Sequence, residues 1–169
     1  MEITTVTTEA DADDVRRLIL EFVDWQHERF PDLRAYIDAY FNGQGFDAEM
    51  ANITQAFGPP HGTCLLAHLN GEPAGIVMMK PRKIGEIAEM NRMFVRKSAR
   101  GHGIGKALVQ RLISDARAMS YTRMELETLD NHDEALGLYV RLGFFDEPER
   151  PLKPGASQRQ CRLALDLSA

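Results

Sequence analysis

Cysteine is scarce in this sequence. The 169 residues include only two, Cys64 and Cys161, and their wide separation matches neither a metal-ligand spacing nor a disulfide framework. Few and unpaired cysteines are typical of a reducing compartment. We therefore expect a cytoplasmic protein that needs no metal.

Two further absences exclude classes of partner. The net charge is −5, so there is no excess of basic residues to neutralise the phosphates of a nucleic acid. No apolar run is long enough to cross a bilayer, and the acidic N-terminus lacks the apolar segment of a signal peptide. We expect neither a nucleic-acid nor a membrane partner. Positive charge is nevertheless concentrated in one local patch, formed by Arg92, Arg96, Lys97, Arg100 and Lys106.

The length suits a single domain over residues 1–169, with one substantial core. Asn70-Gly71 separates two apolar runs and predicts a hairpin turn, and the polar segment 146–160 predicts a loop. The order of elements predicts an α/β or α+β fold: a mixed, mostly antiparallel sheet with a central parallel βαβ unit over 86–129. Hydrophobic periodicity predicts strands at 2–7, 63–69, 73–80, 85–95, 123–129 and 161–167, and helices at 11–30, within 32–57, at 103–119 and at 132–143.

Three alternating glycines, Gly101, Gly103 and Gly105, lie where the helix over 103–119 begins. A glycine turn before a helix N-terminus offers free backbone amides and the positive end of the helix dipole to a phosphate. Glycines at a helix start cost about 1 kcal/mol each relative to alanine, which favours a binding role over a plain connection. Lys106 replaces the third glycine of a dinucleotide motif, and Ala107 replaces the hydroxyl residue of a Walker A loop. Both of those nucleotide motifs are therefore excluded.

The remaining pattern, Arg100-x-x-Gly103-x-Gly105 after an apolar strand, resembles the [QR]-x-x-G-x-[GA] motif of the GNAT superfamily of acyl-CoA-dependent N-acyltransferases. The segment EMNRMFV is similar to the fourth strand of that family. A later element of the form A-x-x-x-Y-x-x-x-G-F is matched by Ala135, Tyr139, Gly143 and Phe144. Two motifs in the family's order, on the predicted elements, make a specific resemblance.

The resemblance implies acetyl-CoA as the co-substrate, with its thioester entering between the strands over 86–95 and 123–129. Main-chain groups of Met93, Phe94 and Val95 would pair with the pantetheine arm. Many relatives also contact the coenzyme through an asparagine seven residues before the motif tyrosine. That position is His132 here, preceded by Asn131, which is also a candidate helix N-cap. The pyrophosphate would be held by Arg100, Gly101, His102, Gly103, Ile104, Gly105 and Lys106.

Acyl transfer to an amine needs a group that takes the proton of the ammonium ion. Glu89 and Glu127 each match the base position of a different part of the family, and both remain candidates beside a plain salt-bridge role. By strand alternation, Glu89, Asn91 and Met93 should share one face. Tyr139 matches the family's general acid, which returns a proton to the departing thiolate.

The acceptor should be bound by residues 20–58 and the loop 146–160. Aromatic and acidic side chains in 22–41 suit a cationic amine, and they equally suit amphipathic helices packed on a sheet. We expect a small-molecule amine acceptor; a protein N-terminal or lysine acetyltransferase and a non-catalytic acyl-CoA sensor stay open as alternatives. A homodimer fits the family, but nothing in the sequence decides it. The aromatic residues are Phe22, Trp25, Phe30, Tyr36, Tyr40 and Phe41, and the acidic ones Asp24, Glu28, Asp32 and Asp38.

Overall fold

The computed structural model describes residues 1–147 and 159–168. Most of the predicted loop over 146–160 lies outside these residues. The strands are β1 (Glu2–Thr5), β2 (Thr63–Leu69), β3 (Glu72–Lys83), β4 (Ile87–Val95), β5 (Arg123–Leu129), β6 (Phe145–Asp146) and β7 (Gln160–Asp166). The α-helices are α1 (Glu9–Arg29), α2 (Arg34–Phe41), α3 (Gln44–Ala51), α4 (Ile53–Ala56), α5 (Ile104–Ala118) and α6 (Asp133–Arg141), and short 3₁₀ turns cover Pro31–Leu33 and Lys97–Ala99.

The seven strands form one sheet in the order β1-β2-β3-β4-β5-β7-β6. Only β4 and β5 run parallel, joined through α5, and the other neighbours are antiparallel. The predicted mixed sheet and its parallel βαβ unit are thereby confirmed. Asn70 and Gly71 both have positive φ, 54° and 86°, as the hairpin turn between β2 and β3 requires.

The sheet carries a hydrophobic core on each face. On one face, α5 and α6 pack on apolar residues such as Val77, Met90 and Leu126. On the other, α1, α2 and α4 pack on Ile76, Met78 and Phe94. Pro31 ends α1 as its sequence predicts, because its ring cannot continue the helix. Within the described residues, no helix combines the length and the apolar character needed to span a bilayer.

Two elements differ from the predictions. The segment 32–57 holds three short helices where one or two were expected, and β6 adds a two-residue strand after α6.

The end of α6 agrees with its prediction. Gly143 lies two residues beyond Arg141, the last residue of α6, with φ 95°, and the amides of Gly143 and Phe144 donate to the carbonyls of Val140 and Tyr139. This is a Schellman motif, which ends the helix and turns the chain toward β6.

Candidate active site

The two parallel strands separate part-way along their length. Pairing between β4 and β5 runs from Ile87 with Arg123 to Met90 with Leu126 and then stops. Beyond that point β4 stays paired with β3 up to Val95, and β5 stays paired with β7 up to Leu129. The divergence opens a cavity of about 870 Å³ between the strands and the helices on both faces.

This cavity collects nearly all of the predicted site residues. Its wall includes Glu89, Glu127 and Tyr139, together with residues 93–95 and the turn that begins α5. Two of the predicted residues, His102 and Asn131, are not part of the wall. Residues from α1, α2 and β7 complete it, among them Trp25, Tyr36, Tyr40 and Gln160.

The glycine turn forms an open cradle of backbone amides. Gly101 and Gly103 have φ of 82° and 76°, and a Cβ atom at either would meet no atom within 4 Å. None of the amides of residues 101–106 donates to an acceptor within the described part of the chain. Six free amides at the start of α5 fit an anionic pyrophosphate, because a helix N-terminus also places its positive dipole end there.

Gly105 has a different function in the same turn. A Cβ atom at this position would lie 2.7 Å from the Met93 side chain, so glycine allows α5 to approach β4 closely. His102 is exposed, and its Nδ1 lies 3.1 Å from the Arg100 carbonyl oxygen. The Arg100 guanidinium lies 4.8 Å from the Trp25 ring centre, and Arg100 Nε donates to the Val95 carbonyl at 3.1 Å. The side chain of Arg100 therefore crosses the cavity from the turn toward α1.

A β-bulge in β4 changes which side chains share a face. The register with β3 shifts between Phe94 and Asn91, and Arg92 has a positive φ of 49°. The extra residue inverts the alternation, so Met93 packs with the α5 side of the sheet and Phe94 with the α1 side. The predicted common face of Glu89, Asn91 and Met93 is therefore wrong for Met93. The bulge also places Arg92 against Glu49, away from the predicted basic patch, and Arg96 is paired with Glu21.

Glu89 lies directly beside the point where the two strands diverge. It precedes Met90, the last residue of β4 that pairs with β5, and its side chain lines the cavity at 8% exposure. Its neighbours Ala88 and Met90 belong to the core under α5. Alternation therefore turns the Glu89 carboxylate to the opposite face, which carries α1 and α2.

Glu127 also lines the cavity, but both of its carboxylate oxygens accept hydrogen bonds. Oε1 accepts from Arg162 at 2.7 Å and from Arg82 at 3.1 Å. Oε2 accepts from the Gln160 amide at 3.2 Å, and the other end of that amide accepts from the Tyr36 hydroxyl at 2.9 Å. Two guanidinium groups and an amide thus fix the carboxylate in place.

Tyr139 is almost fully buried, with 4% of its surface exposed, and it lines the cavity. Its ring packs on Phe144 at a centroid distance of 5.7 Å. Burial raises the pKa of the Tyr139 phenol well above its usual value, so the hydroxyl stays protonated at neutral pH. A protonated phenol at the divergence of the strands can donate a hydrogen bond to a group bound there.

In the loop between β5 and α6, Asn131 and His132 take unexpected positions. His132, not Asn131, is the N-cap residue of α6, which corrects the alternative that Asn131 caps the helix. Asn131 Oδ1 and His132 Nε2 are buried without a hydrogen-bond partner among the described residues. The His132 ring lies 4.7 Å from that of Phe30 and 5.4 Å from that of Trp25, and burial lowers the pKa of His132 to about 4. His132 is therefore a neutral wall residue at physiological pH.

The predicted acceptor segment contributes aromatic rings but not its carboxylates. All of the rings except Phe30 line the cavity, whereas the four acidic residues lie elsewhere. Asp32 pairs with Arg159, and Asp38 lies 2.8 Å from His27. Asp24 and Glu28 line a second, smaller cavity.

Several charged and polar residues in and around the cavity were not predicted from the sequence. Glu49, Lys80, Arg82, Arg162 and Gln160 come from α3, β3 and β7, and no local motif marks them. The predicted strand ends at Lys80, so Arg82 was placed beyond it. The one available signal was the i, i+2 spacing of Lys80 and Arg82, which puts both side chains on one face if the strand is longer. The pairing of Arg162 with Glu127 follows from the β5–β7 register, which the sequence does not specify.

Comparisons with known proteins agree with this geometry. Residues 16–144 match the family model described as the acetyltransferase (GNAT) family. An uncharacterized N-acetyltransferase of Schizosaccharomyces pombe is 33% identical over 85% of this chain and 82% of its own length. The N-acetylaspartate synthetase of Danio rerio is 37% identical over 57% of this chain, which spans only 34% of that protein. Among solved structures, an N-acetyltransferase of Thermoplasma acidophilum in complex with coenzyme A superposes with a TM-score of 0.73, at 14% identity, over 98% of this chain and 99% of its own.

Proposed function

The chain belongs to the GNAT acetyltransferase family, and we propose that it transfers the acetyl group of acetyl-CoA to the primary amine of a small molecule. One observation carries the proposal. A single cavity is lined by the turn that begins α5, by Glu89 and Tyr139, and by residues of α1 and α2. A donor bound at one end and an amine at the other would meet where the strands diverge.

Acetyl-CoA supplies the acetyl group as a thioester. The cradle amides would bind its pyrophosphate, and the free edge of β4 beyond Met90 would bind the extended arm as an added strand does. The open space above Gly101 and Gly103 supports this fit, because a long or acidic side chain at either position would compete with the phosphates for that room. The arrangement orients the thioester toward the residues that handle protons.

We assign the general base to Glu89, which lines the cavity directly beside the point where the strands diverge, and not to Glu127. Both oxygens of Glu127 hold donors, two of them guanidinium groups, so taking a proton would break a buried ion-pair network. Glu89 takes the proton of the acceptor's ammonium group, and the freed amine forms the new N–C bond as the C–S bond breaks. The second proton that the nitrogen loses when it becomes an amide passes to solvent. The role left to Glu127 is to position Gln160 and, through it, Tyr36.

Tyr139 completes the proton balance at the departing sulfur. Its phenol hydrogen-bonds to the thiolate and gives it a proton, which solvent later replaces. The raised pKa of Tyr139 keeps the phenol in the donor form between turnovers, although it makes full transfer to a thiol of pKa about 8.5 unfavourable by itself. Stabilisation of the leaving group by the hydrogen bond is therefore the main contribution that we assign to Tyr139.

We favour a small acceptor over a protein because residues from several elements enclose part of the proposed acceptor side of the cavity. Residues of α1 and α2 and Gln160 line it, whereas a peptide substrate needs an extended open groove. The name of the zebrafish relative, N-acetylaspartate synthetase, points the same way. The presence of both Glu89 and Tyr139 in the cavity wall argues against a sensor that binds acyl-CoA without reacting.

The test is an acceptor screen scored by thiol release, with mass spectrometry of the products. We expect acetyl transfer to small primary amines and none to unstructured peptides of matched charge. Transfer to peptides alone would instead identify the protein as a protein N-terminal or lysine acetyltransferase. Acetyl-CoA binding without thiol release across the whole panel would instead support a sensor.

A further inference from the structure

Arg92 occupies an unusual position for a charged residue. It forms the β-bulge of β4, in the left-handed region with φ 49°, two residues beyond the last residue that pairs with β5. A non-glycine residue in this conformation is strained, and such strain is concentrated at functional sites. The bulge places Arg92 in the wall of the active-site cavity, just past the divergence of the strands.

The guanidinium of Arg92 is buried with most of its hydrogen-bonding capacity unused. Its side chain is 5% exposed, and it lies between the rings of Phe46 and Phe57, at 5.1 and 5.3 Å from their centres. Nη2 donates to Glu49 at 2.6 Å, Nη1 reaches only the weak acceptor Met78 Sδ at 3.7 Å, and Nε has no partner in the described chain. A buried arginine carries five N–H donors that normally find strong acceptors. The unused donors therefore indicate a missing anionic partner.

The charges around Arg92 favour an anion as well. Glu49 accepts hydrogen bonds from both Arg92 and Lys80. Burial opposes the ionised form of Glu49, but these two bonds outweigh it and lower its pKa, so one carboxylate faces two cations. The cluster of Lys80, Arg92 and Glu49 thus carries one net positive charge, and its Arg92 is part of the cavity wall. A single carboxylate would neutralise it and would match the planar fork of the guanidinium.

We propose that Arg92 binds a carboxylate of the acceptor, so that the acceptor is an amino acid or a close analogue. This inference rests on the proposed function and names its substrate class. Glu89 and Arg92 lie three residues apart on β4, about 10 Å along a regular strand and less across the bulge. An amino acid bound between Glu89 and Arg92 would make one hydrogen bond of about 2.8 Å at each end. These two lengths and the few covalent bonds between its amine and its carboxylate together span such a gap. Glu89 binds the amine at the thioester, and Arg92 fixes the other end.

The experiment compares matched acceptors on the wild-type protein. Each α-amino acid is paired with its α-carboxamide, and kcat/KM is measured by thiol release. The amides lose the charge-assisted hydrogen-bond pair that a carboxylate would make with Arg92. We therefore expect kcat/KM to be at least about 10-fold higher for the carboxylates than for the amides. Equal or faster turnover of the amides would overturn the inference and leave the acetyltransferase proposal intact. Acetyl-CoA binding without turnover of either series would overturn both.

Variants then assign the preference to Arg92. Arg92→Gln should reduce the ratio between carboxylate and amide to about 3-fold or less, mainly through a higher KM for the carboxylate, because only uniform binding is lost. Arg92→Lys keeps the charge without the fork, and it decides the matter if the glutamine variant does not fold. Arg96→Gln is the matched control, since Arg96 pairs with Glu21 and lies outside the cavity wall; it should keep the full ratio. A ratio that persists in a folded Arg92 variant would contradict the assignment.

Discussion

Glu127 Oε1 accepts a hydrogen bond from Arg162 at 2.7 Å, and the two residues are direct partners in the β5–β7 ladder. Arg82 reaches the same oxygen from β3, so three strands share one buried ionic group. Sequence resemblance offers Glu89 and Glu127 equally as the base. The structure places Glu127 in a buried ion-pair group and Glu89 directly beside the point where the strands diverge.

Substitution of each glutamate therefore has a different expected effect. Glu89→Gln should lower kcat/KM by about 10²-fold or more, because the general base is lost. Glu127→Gln should mainly destabilise the protein, by about 3–5 kcal/mol, because it leaves two guanidinium groups without their buried charged partner. Urea unfolding and kcat/KM of both variants provide the comparison. A stable Glu127→Gln protein that has lost turnover, beside an active Glu89→Gln protein, would exchange the two assignments.

Removal of the Tyr139 hydroxyl should affect catalysis and not binding. Tyr139→Phe keeps the ring against Phe144 and removes only the donor, so we expect kcat to fall by about 10²-fold with an unchanged Kd for acetyl-CoA. Because burial raises the pKa of this phenol, wild-type turnover should show no loss from Tyr139 ionisation up to about pH 10. Stopped-flow single turnovers, which exclude product release, provide the measurement. An unchanged single-turnover rate would remove Tyr139 from the proton balance.

The buried imidazole of His132 makes stability depend on pH. Its pKa falls from 6.5 to about 4 on burial, so between these values the unfolded chain binds more protons than the folded one. Stability should therefore fall as the pH decreases through this window, and the loss should be complete below it. The full shift corresponds to about 3 kcal/mol, which partial solvent access reduces to about 1–2 kcal/mol.

His132→Phe tests this dependence, since it keeps a ring against Trp25 and Phe30 and removes the titration. Urea unfolding of both proteins at about pH 7 and about pH 4 should show that the variant loses about 1–2 kcal/mol less than the wild type. Equal losses in the two proteins would mean that other groups dominate the acid sensitivity. Acetyl-CoA binding at neutral pH checks that the variant keeps the fold around the site.

Much of the fold follows from local patterns in the sequence. The apolar stripe of α5, the turn at Asn70-Gly71 and the helix end at Pro31 are each decided by a few neighbouring residues, and the structure has all three. The glycine turn was predictable for the same reason, because a phosphate cradle needs glycines at fixed spacing. The structure adds its free amides and its position on the cavity.

Features set by contacts between distant strands were not predictable. The bulge at Arg92 inverts the faces of β4, and it is visible only as a shift in register against β3. Arg82 and Arg162 both reach Glu127 because β3 and β7 lie on opposite sides of β5 in the sheet, with β4 between β3 and β5. Nothing near Glu127 in the sequence indicates either partner. Local motifs therefore predict the proposed coenzyme side of the site, whereas the proposed acceptor side depends on tertiary structure.

The cradle is tested most directly by calorimetric titration of the wild-type, Gly103→Glu and Gly103→Asn proteins with acetyl-CoA. Asparagine tolerates the positive φ of this position and serves as the control for the backbone, whereas glutamate adds a negative charge in the space above the turn. We predict micromolar binding, on the order of 1–100 μM, for the wild type, similar binding for Gly103→Asn, and none for a folded Gly103→Glu protein. Wild-type affinity in the glutamate variant would contradict the account, because the pyrophosphate could not then lie on this turn.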